Sequence, residues 1–308
     1  MVIAGLLPGC DHDSGKEIDL SQRVDEQTLR TTPAGSTPPP LLTLNFGFDL
    51  RGTPQEDARQ YLPFLAYLDR ATSYRFRLHF TPPNENIVDE LGRGVVQFAA
   101  MGAGSYLQAR QRFGAKILAR GLNRQGRAEY RSALVVRADS PIRKVTDLRG
   151  KRLAFGAETS TQGHLIPRIM LTEAGLTLQD LADYSYTGSH AACADAVISG
   201  KYDACGMQDI LAGKLVAEGR LRILQWSAYF PSSGIVANAT VPPEMVEQVK
   251  RALVEFQPNG RDRDHLYRWH DTEMAGGFIE AHDSDYDTLR AWSIRFGLLP
   301  ATQDLPTP

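Results

Sequence analysis

The feature of this sequence that most constrains its fold is a regular alternation of strand-like and helix-like segments. LLTLNFGF (41–48) has the alternating apolar pattern of a half-buried strand. TPQE (53–56) then has the form of a capping box with proline in the first turn, and it predicts a helix to about Arg70. YRFRLHF (74–80) and VVQFAAMG (95–102) predict the next two strands. Strands that alternate with helices indicate an α/β fold with a mainly parallel sheet.

This strand–helix series is interrupted and later resumed. SALVVRAD (132–139) opens a second series, which runs to LRILQWS (221–227). GIVANA (234–239) then returns as a strand, followed by an amphipathic helix over 241–256. The predicted organisation is lobe 1 (41–133 and 230–298), lobe 2 (134–229) and a tail (299–308). Two crossings between lobes behave as a hinge.

The chain of 308 residues has a net charge of −2, which gives no electrostatic case for nucleic acid as a partner. No uncharged apolar run is long enough to span a membrane. MVIAGLLPGC (1–10) resembles a lipoprotein signal segment that ends at a lipidated Cys10, although a frayed terminus with an incidental cysteine stays open. Residues 11–40, rich in Thr, Ser and Pro, have the composition of a flexible tether. We therefore expect an extracytoplasmic protein anchored to a membrane.

The sequence lacks the common catalytic signatures. It has no G-x-S-x-G elbow, no phosphate loop of the form G-x-x-x-x-G-K-[ST] and no H-E-x-x-H zinc site. An esterase is disfavoured because no nucleophile, base and orienting group can be assembled. We expect a protein that is not an enzyme and needs neither a metal nor a cofactor.

The chemical signal lies in LAFGAETSTQGHLIPRIML (153–171). Leu153, Ala154 and Phe155 predict a buried strand, and a helix is predicted from His164 to Leu171. The turn between them contains Ser160, Thr161, Gln162 and Gly163. Helix N-termini bind anions because their first N–H groups are unpaired and partly positive. Ser and Thr also cap helices in general, so a plain cap is the alternative.

A second turn of the same kind follows in YTGSHAACADAV (186–197), where a Thr-Gly-Ser turn leads into a helix with His190 in its first turn. The His190 ring is able to donate a hydrogen bond to an anion. Two such helix ends in one lobe can point at one ligand, although His190 taken alone is equally consistent with a surface cap.

STQGHLIPR (160–168), YTGSHAACADAV and DSDYDTLR (283–290) together make the chain resemble the phosphate/phosphite/phosphonate-binding proteins of ABC transporters. The resemblance implies the type 2 periplasmic-binding-protein clamshell, a monomer that delivers a small phosphorus oxyanion to a membrane permease. It also implies that Ser160, Thr161 and His190 bind the oxyanion. Gln162, Gly163, Ser105 and Ser233 complete the predicted site.

Two departures from the family pattern bear on the ligand. Relatives that bind aminoalkyl phosphonates resemble one another in aromatic residues at places that Asn84 and Met101 fill here. FPSSG (230–234) carries no acid where those relatives have one. Asp209 is a candidate for the other acidic place, with a helix cap as the alternative. Without an aromatic cage an ammonium tail has little cation–π support. We therefore expect phosphate, phosphite or a short alkylphosphonate.

A ligand sensor that feeds a membrane histidine kinase is the alternative function. One such group resembles this family and recognises arsenite through a cysteine, and Cys193 lies one helical turn beyond His190. Its thiol would then face the cleft; a small buried helix residue is the other interpretation.

Overall fold

The structure is a computed structural model that describes residues 41–49 and 53–301. The signal-like segment 1–10 with Cys10, the tether 11–40 and most of the predicted tail lie outside the described residues. In the part of the chain that is described, no helix has both the length and the apolar character needed to cross a membrane.

Strands and helices alternate along the chain, as predicted. The strands are β1 (Thr43–Phe48), β2 (Arg75–Leu78), β3 (Phe98–Met101), β4 (Lys116–Leu122), β5 (Glu129–Tyr130), β6 (Ser132–Arg137), β7 (Arg152–Phe155), β8 (Asp183–Tyr186), β9 (Ala204–Gln208), β10 (Leu221–Trp226), β11 (Phe230–Pro231), β12 (Gly234–Ala237) and β13 (Gly277–Glu280). The helices are α1 (Pro54–Ala71), α2 (Ile87–Gly92), α3 (Ala103–Phe113), α4 (Ile166–Glu173), α5 (His190–Ile198), α6 (Asp209–Ala217), α7 (Pro243–Glu255) and α8 (Asp287–Arg295).

The strands form two main sheets, one in each lobe. The lobe 1 sheet has the order β13-β4-β12-β3-β1-β2, and the lobe 2 sheet has the order β10-β6-β9-β7-β8. In each sheet the strand that follows a crossing, β12 or β6, runs antiparallel to both of its neighbours. β1, β2 and β3 are parallel to one another, as are β7, β8 and β9. The prediction of a two-lobed α/β fold is thus confirmed.

The two passages of the chain between the sheets lie side by side. β5 and β11 pair antiparallel, Phe230 with Tyr130 and Pro231 with Glu129, as a ribbon separate from both sheets. Two short paired strands form a narrow connection, which suits a hinge. The division of the chain at 133 and 230 stays a prediction about how the lobes move.

Local sequence signals explain where α1 begins and which face it buries. Thr53 caps α1 by accepting the Glu56 N–H at 3.3 Å, and Pro54 occupies the first helical position, where no N–H partner is needed. α1 buries Phe64 and Leu68 against the lobe 1 sheet and α7, and Trp269 stacks on Phe64 at 4.9 Å between ring centroids.

The cysteines of lobe 2 correct one interpretation of the sequence. Cys193 of α5 and Cys205 of β9 form a disulfide, and both residues are fully buried. The Cys193 thiol therefore does not face the cleft, because its sulfur is bonded to β9 beneath the helix. No pattern in the sequence predicted this link.

Candidate functional site

A cavity of about 190 Å³ lies between the two lobes. Lobe 1 contributes Phe48, Asp49, Thr81, Glu85, Asn86, Ile87, Gly102, Tyr130, Ser233 and Glu273, and lobe 2 contributes Ala157, Thr159, Ser160, Thr161, Gln162, Gly188, Ser189 and His190. Pockets for drug-sized ligands are roughly 300–1,000 Å³. The cavity therefore suits a small molecule or ion.

Ser160 forms the start of the helix on the lobe 2 wall. Its Oγ accepts the Gly163 N–H at 2.9 Å, which is the geometry of an N-cap. The helix begins with a π turn over Thr161–Leu165 and continues as α4, so it starts at Thr161 and not at the predicted His164. The Ser160 cap explains the earlier start. The first N–H groups of a helix have no carbonyl partner within it, and the Ser160 Oγ supplies a partner for one of them. The partial positive charge of this helix end faces a cavity that Thr161 and Gln162 line.

Thr161 joins the two lobes at the cavity wall. Its Oγ1 accepts the Gly104 N–H of α3 at 2.7 Å, and the residue is only 3% exposed. A hydroxyl that accepts one hydrogen bond still has a hydrogen to donate. The approach is close: a Cβ on Gly104 would lie 2.5 Å from the carbonyl oxygen of Thr159. Glycine at 104 is thus required for the lobes to meet in this way.

His190 reaches the cavity from the N-terminus of α5. Ser189 caps this helix by accepting the Ala192 N–H at 3.1 Å. The His190 ring packs against two glycines: a Cβ on Gly163 would lie 3.0 Å from ring atom Cε1, and one on Gly156 would lie 3.6 Å from Nδ1. Gly163 does not line the cavity. Its small size leaves space for the His190 ring.

The loop before Thr161 is held from behind by His164. Nδ1 of His164 donates to the Glu158 carbonyl oxygen at 2.6 Å, and Nε2 accepts from the Tyr186 hydroxyl at 3.1 Å. Burial lowers the pKa of His164 to about 4. The ring is therefore neutral near pH 7, which agrees with one donating and one accepting nitrogen.

On lobe 1, Asp49 follows the end of β1 and is fixed by α3. Its carboxylate accepts the Gly102 N–H at 2.7 Å and the Ser105 hydroxyl at 2.9 Å. Ser105 is buried and lies outside the cavity lining, so it positions Asp49 and does not reach the cavity itself. Asp49 was not among the predicted site residues, although its place directly after a strand of a parallel sheet was an available signal.

Glu273 and Tyr130 form the inner part of the lobe 1 wall. The Ser233 hydroxyl donates to the Glu273 carboxylate, and Glu273 is 6% exposed. Burial, and after it the Glu273 charge, raises the pKa of the Tyr130 phenol, which therefore stays protonated. Glu273 lies in an irregular turn before β13, and no pattern in the sequence marks it as a site residue.

The predicted site residues divide into two groups. Those that line the cavity are Ser160, Thr161, Gln162, His190 and Ser233. Those that do not are Gly163, Ser105, Asn84, Met101 and Asp209. The predicted selectivity residues are both outside: Met101 is fully buried in β3, and Asn84 is exposed in the turn before α2.

Asp209 lies behind the cavity, at the first position of α6. It accepts a hydrogen bond from the Gln162 amide at 3.3 Å and lines a second, larger cavity of about 760 Å³. Tyr130 and Glu273 line both cavities and so form the wall that the two share. Burial, and after it the Glu273 charge, raises the pKa of Asp209.

The site as a whole is suited to bind an anion through hydrogen-bond donors and not through a fully charged cation. Hydroxyls, helix N-termini and the His190 ring supply donors from lobe 2. Within residues 41–49 and 53–301, no group of three or more His, Cys, Asp or Glu residues is placed to hold a metal ion. The residues present fit capture of a ligand by hydrogen bonds.

Comparison with known proteins gives a consistent result. Residues 46–286 match the family described as "ABC transporter, phosphonate, periplasmic substrate-binding protein". The chain is 26% identical over 253 residues to the "Phosphate-import protein PhnD" of Mycolicibacterium smegmatis, an alignment that covers 75% of this chain and 78% of that protein.

Solved structures share the fold at low sequence identity. PhnD1 from Prochlorococcus marinus in complex with methylphosphonate has a TM-score of 0.73 at 18% identity, over 83% of this chain and 99% of that one. A binding protein component of an ABC phosphonate transporter from Pseudomonas aeruginosa has a TM-score of 0.73 at 19% identity, over 83% and 86% of the two chains. Because the family match spans most of the described body, the chain belongs to the family of periplasmic substrate-binding proteins of ABC phosphonate transporters.

Proposed function

We propose that this protein captures a small phosphorus oxyanion outside the cytoplasm and delivers it to the permease of an ABC transporter. The ligand class is phosphate, phosphite or a short alkylphosphonate. The protein acts as a monomer and performs no catalysis on its ligand. Family membership supports the transport role, and the cavity supports the choice of ligand.

The observation that carries the proposal is the meeting of two helix N-termini at one small cavity. Thr161 and His190 begin the two helices, and both line the cavity. Hydrogen bonds from such groups to a charged oxygen are worth roughly 1.5–3 kcal/mol each. A cavity of about 190 Å³ leaves little space for a ligand with a long tail.

Calorimetry with phosphate, phosphite, methylphosphonate and 2-aminoethylphosphonate tests the proposal. Thr161→Val and His190→Ala should each weaken binding of the best ligand by about tenfold to a hundredfold, since about 1.4 kcal/mol corresponds to a factor of ten. Thr172→Val in α4 and His282→Ala are matched controls, because neither residue lines the cavity. Binding by both site variants that equals the wild type would contradict the proposal.

The sensor alternative loses its specific support. It depended on a free Cys193 thiol in the cleft, whereas that sulfur is buried and bonded to Cys205. Capture of arsenite through Cys193 would require this bond to be broken. Transport of an oxyanion is the function that the cavity favours.

We also propose that Cys10 carries lipid and that residues 11–40 tether the body to a membrane. The lipobox-like sequence MVIAGLLPGC supports this proposal. A Cys10→Ser variant should then move from the membrane fraction to the soluble extracytoplasmic fraction. Wild-type protein that is already soluble there would contradict the anchor.

A further inference from the structure

The cavity that is suited to an anion also contains a buried carboxylate. Among the acidic residues of its wall, Glu85 is exposed and paired with Arg93. The Asp49 carboxylate accepts the Gly102 N–H and the Ser105 hydroxyl. Glu273 is the acidic lining residue that is fully within the protein, at 6% exposure.

Ser233 holds this carboxylate toward the cavity. Ser233 is 1% exposed and lies between β11 and β12, in the FPSSG segment that has no acid of its own. Its hydroxyl donates to Glu273, so an acid from a distant turn is brought to this segment. Both Ser233 and Glu273 line the cavity, as do Thr161 and His190.

A carboxylate and a fully ionised oxyanion repel each other, most strongly where water is excluded. Anions are stabilised next to a buried acid only when one of the two carries a proton, which then forms a hydrogen bond between them. Phosphate keeps a P–OH group in both its monoanionic and its dianionic form, and phosphite and methylphosphonate keep one in the monoanions that are present near neutral pH. Sulfate and methanesulfonate have no hydroxyl to donate under these conditions.

We propose that Glu273, positioned by Ser233, accepts a hydrogen bond from the P–OH group of the ligand and excludes oxyanions that carry no proton. This inference rests on the proposed function and makes it more specific, since it defines the substrate class as protonated phosphorus oxyanions. Glu273 thereby acts as a specificity residue on lobe 1, opposite the donors of lobe 2.

Calorimetry on four anions tests the inference: phosphate, methylphosphonate, sulfate and methanesulfonate. Wild-type protein should prefer the phosphorus anions over their sulfur counterparts by at least about a hundredfold, because a site built for a ligand hydroxyl rejects analogues without it. Glu273→Gln keeps the side-chain shape, removes the charge and adds an N–H donor. It should weaken phosphate binding by about tenfold and strengthen sulfate binding by about tenfold. The preference for phosphate over sulfate should therefore fall by about a hundredfold.

Two further variants separate specificity from structure. Ser233→Ala keeps the Glu273 charge and loses only its support, so the preference should fall less than in Glu273→Gln. Glu280→Gln removes an exposed carboxylate at the end of β13, where it pairs with Lys250, and should leave the preference unchanged. Melting temperatures of all variants show whether each one is folded.

The outcomes are distinct. Wild-type protein that binds sulfate as tightly as phosphate overturns the inference without any variant. If Glu273→Gln weakens the binding of all four anions equally, Glu273 has a structural role only, and the inference is again overturned. If Glu273→Gln weakens only 2-aminoethylphosphonate, tested in parallel, the carboxylate is an ammonium site and the inference is wrong. Wild-type protein that binds no phosphorus oxyanion refutes the proposed function itself.

Discussion

Gly104→Ala should weaken ligand binding without destabilising the protein. The Cβ of alanine would lie 2.5 Å from the Thr159 carbonyl oxygen and 3.4 Å from Thr161 Oγ1. The first contact is with backbone, so it is relieved only if the lobes separate. Separation also lengthens the hydrogen bond of 2.7 Å from the Gly104 N–H to Thr161.

The size of the effect follows from these two contacts. Overpacking costs typically 1–3 kcal/mol, and loss of a hydrogen bond costs roughly 0.5–1.5 kcal/mol. A total of about 2 kcal/mol or more in the closed state corresponds to roughly thirtyfold weaker binding. When the lobes are apart the alanine meets no obstacle, and it favours the helix by up to about 1 kcal/mol over glycine. The melting temperature without ligand should therefore not fall.

Calorimetry with the best phosphorus oxyanion measures the affinity, and small-angle scattering measures whether the variant still becomes compact with ligand. Gly213→Ala in α6 is the matched control, because a Cβ there has no neighbour within 4 Å. Gly104→Ala that binds as tightly as wild type and compacts equally would refute the role assigned to this lobe contact.

Two further predictions concern stability. Because burial lowers the folded-state pKa of His164 from 6.5 to about 4, its stabilising contribution is present above pH 6.5 and is lost as the pH falls toward 4, by about 3 kcal/mol. Urea unfolding at pH 7 and pH 4 should thus show a smaller pH dependence for His164→Gln than for wild type, and an unchanged dependence would contradict the buried neutral ring. The Cys193–Cys205 disulfide closes a loop with a sequence separation of 12, so Cys193→Ala should lower the free energy of unfolding by roughly 2–4 kcal/mol. Ligand affinity should persist because both cysteines lie outside the cavity lining; a reductant that leaves the melting temperature unchanged would argue against the disulfide.

The fold was predictable because its signals are local. The capping box at 53–56 and the alternation in LLTLNFGF each reflect interactions between residues close in sequence. The start of the helix at Thr161 was misplaced by three residues, because the Ser160 cap and π turn were not distinguished from a loop. The residue at which a helix begins can change with a single hydrogen bond of this kind.

The site was only partly predictable because it is assembled from distant segments. Thr161 and His190 stood in recognisable turns, and the structure places both in the cavity. Glu273 lines the cavity beside Ser233, its hydrogen-bond partner 40 positions earlier in the chain. Ser105 was expected in the site but bonds to Asp49 instead, a pairing across 56 positions that no local pattern encodes.

A crystal structure of the protein with phosphate or methylphosphonate tests the central claim most directly. Our account predicts the phosphorus atom in the smaller cavity, with ligand oxygens within hydrogen-bonding distance of Thr161 Oγ1 and the His190 ring. A ligand bound instead in the larger neighbouring cavity, among Arg127, Arg131 and Trp226, would contradict it.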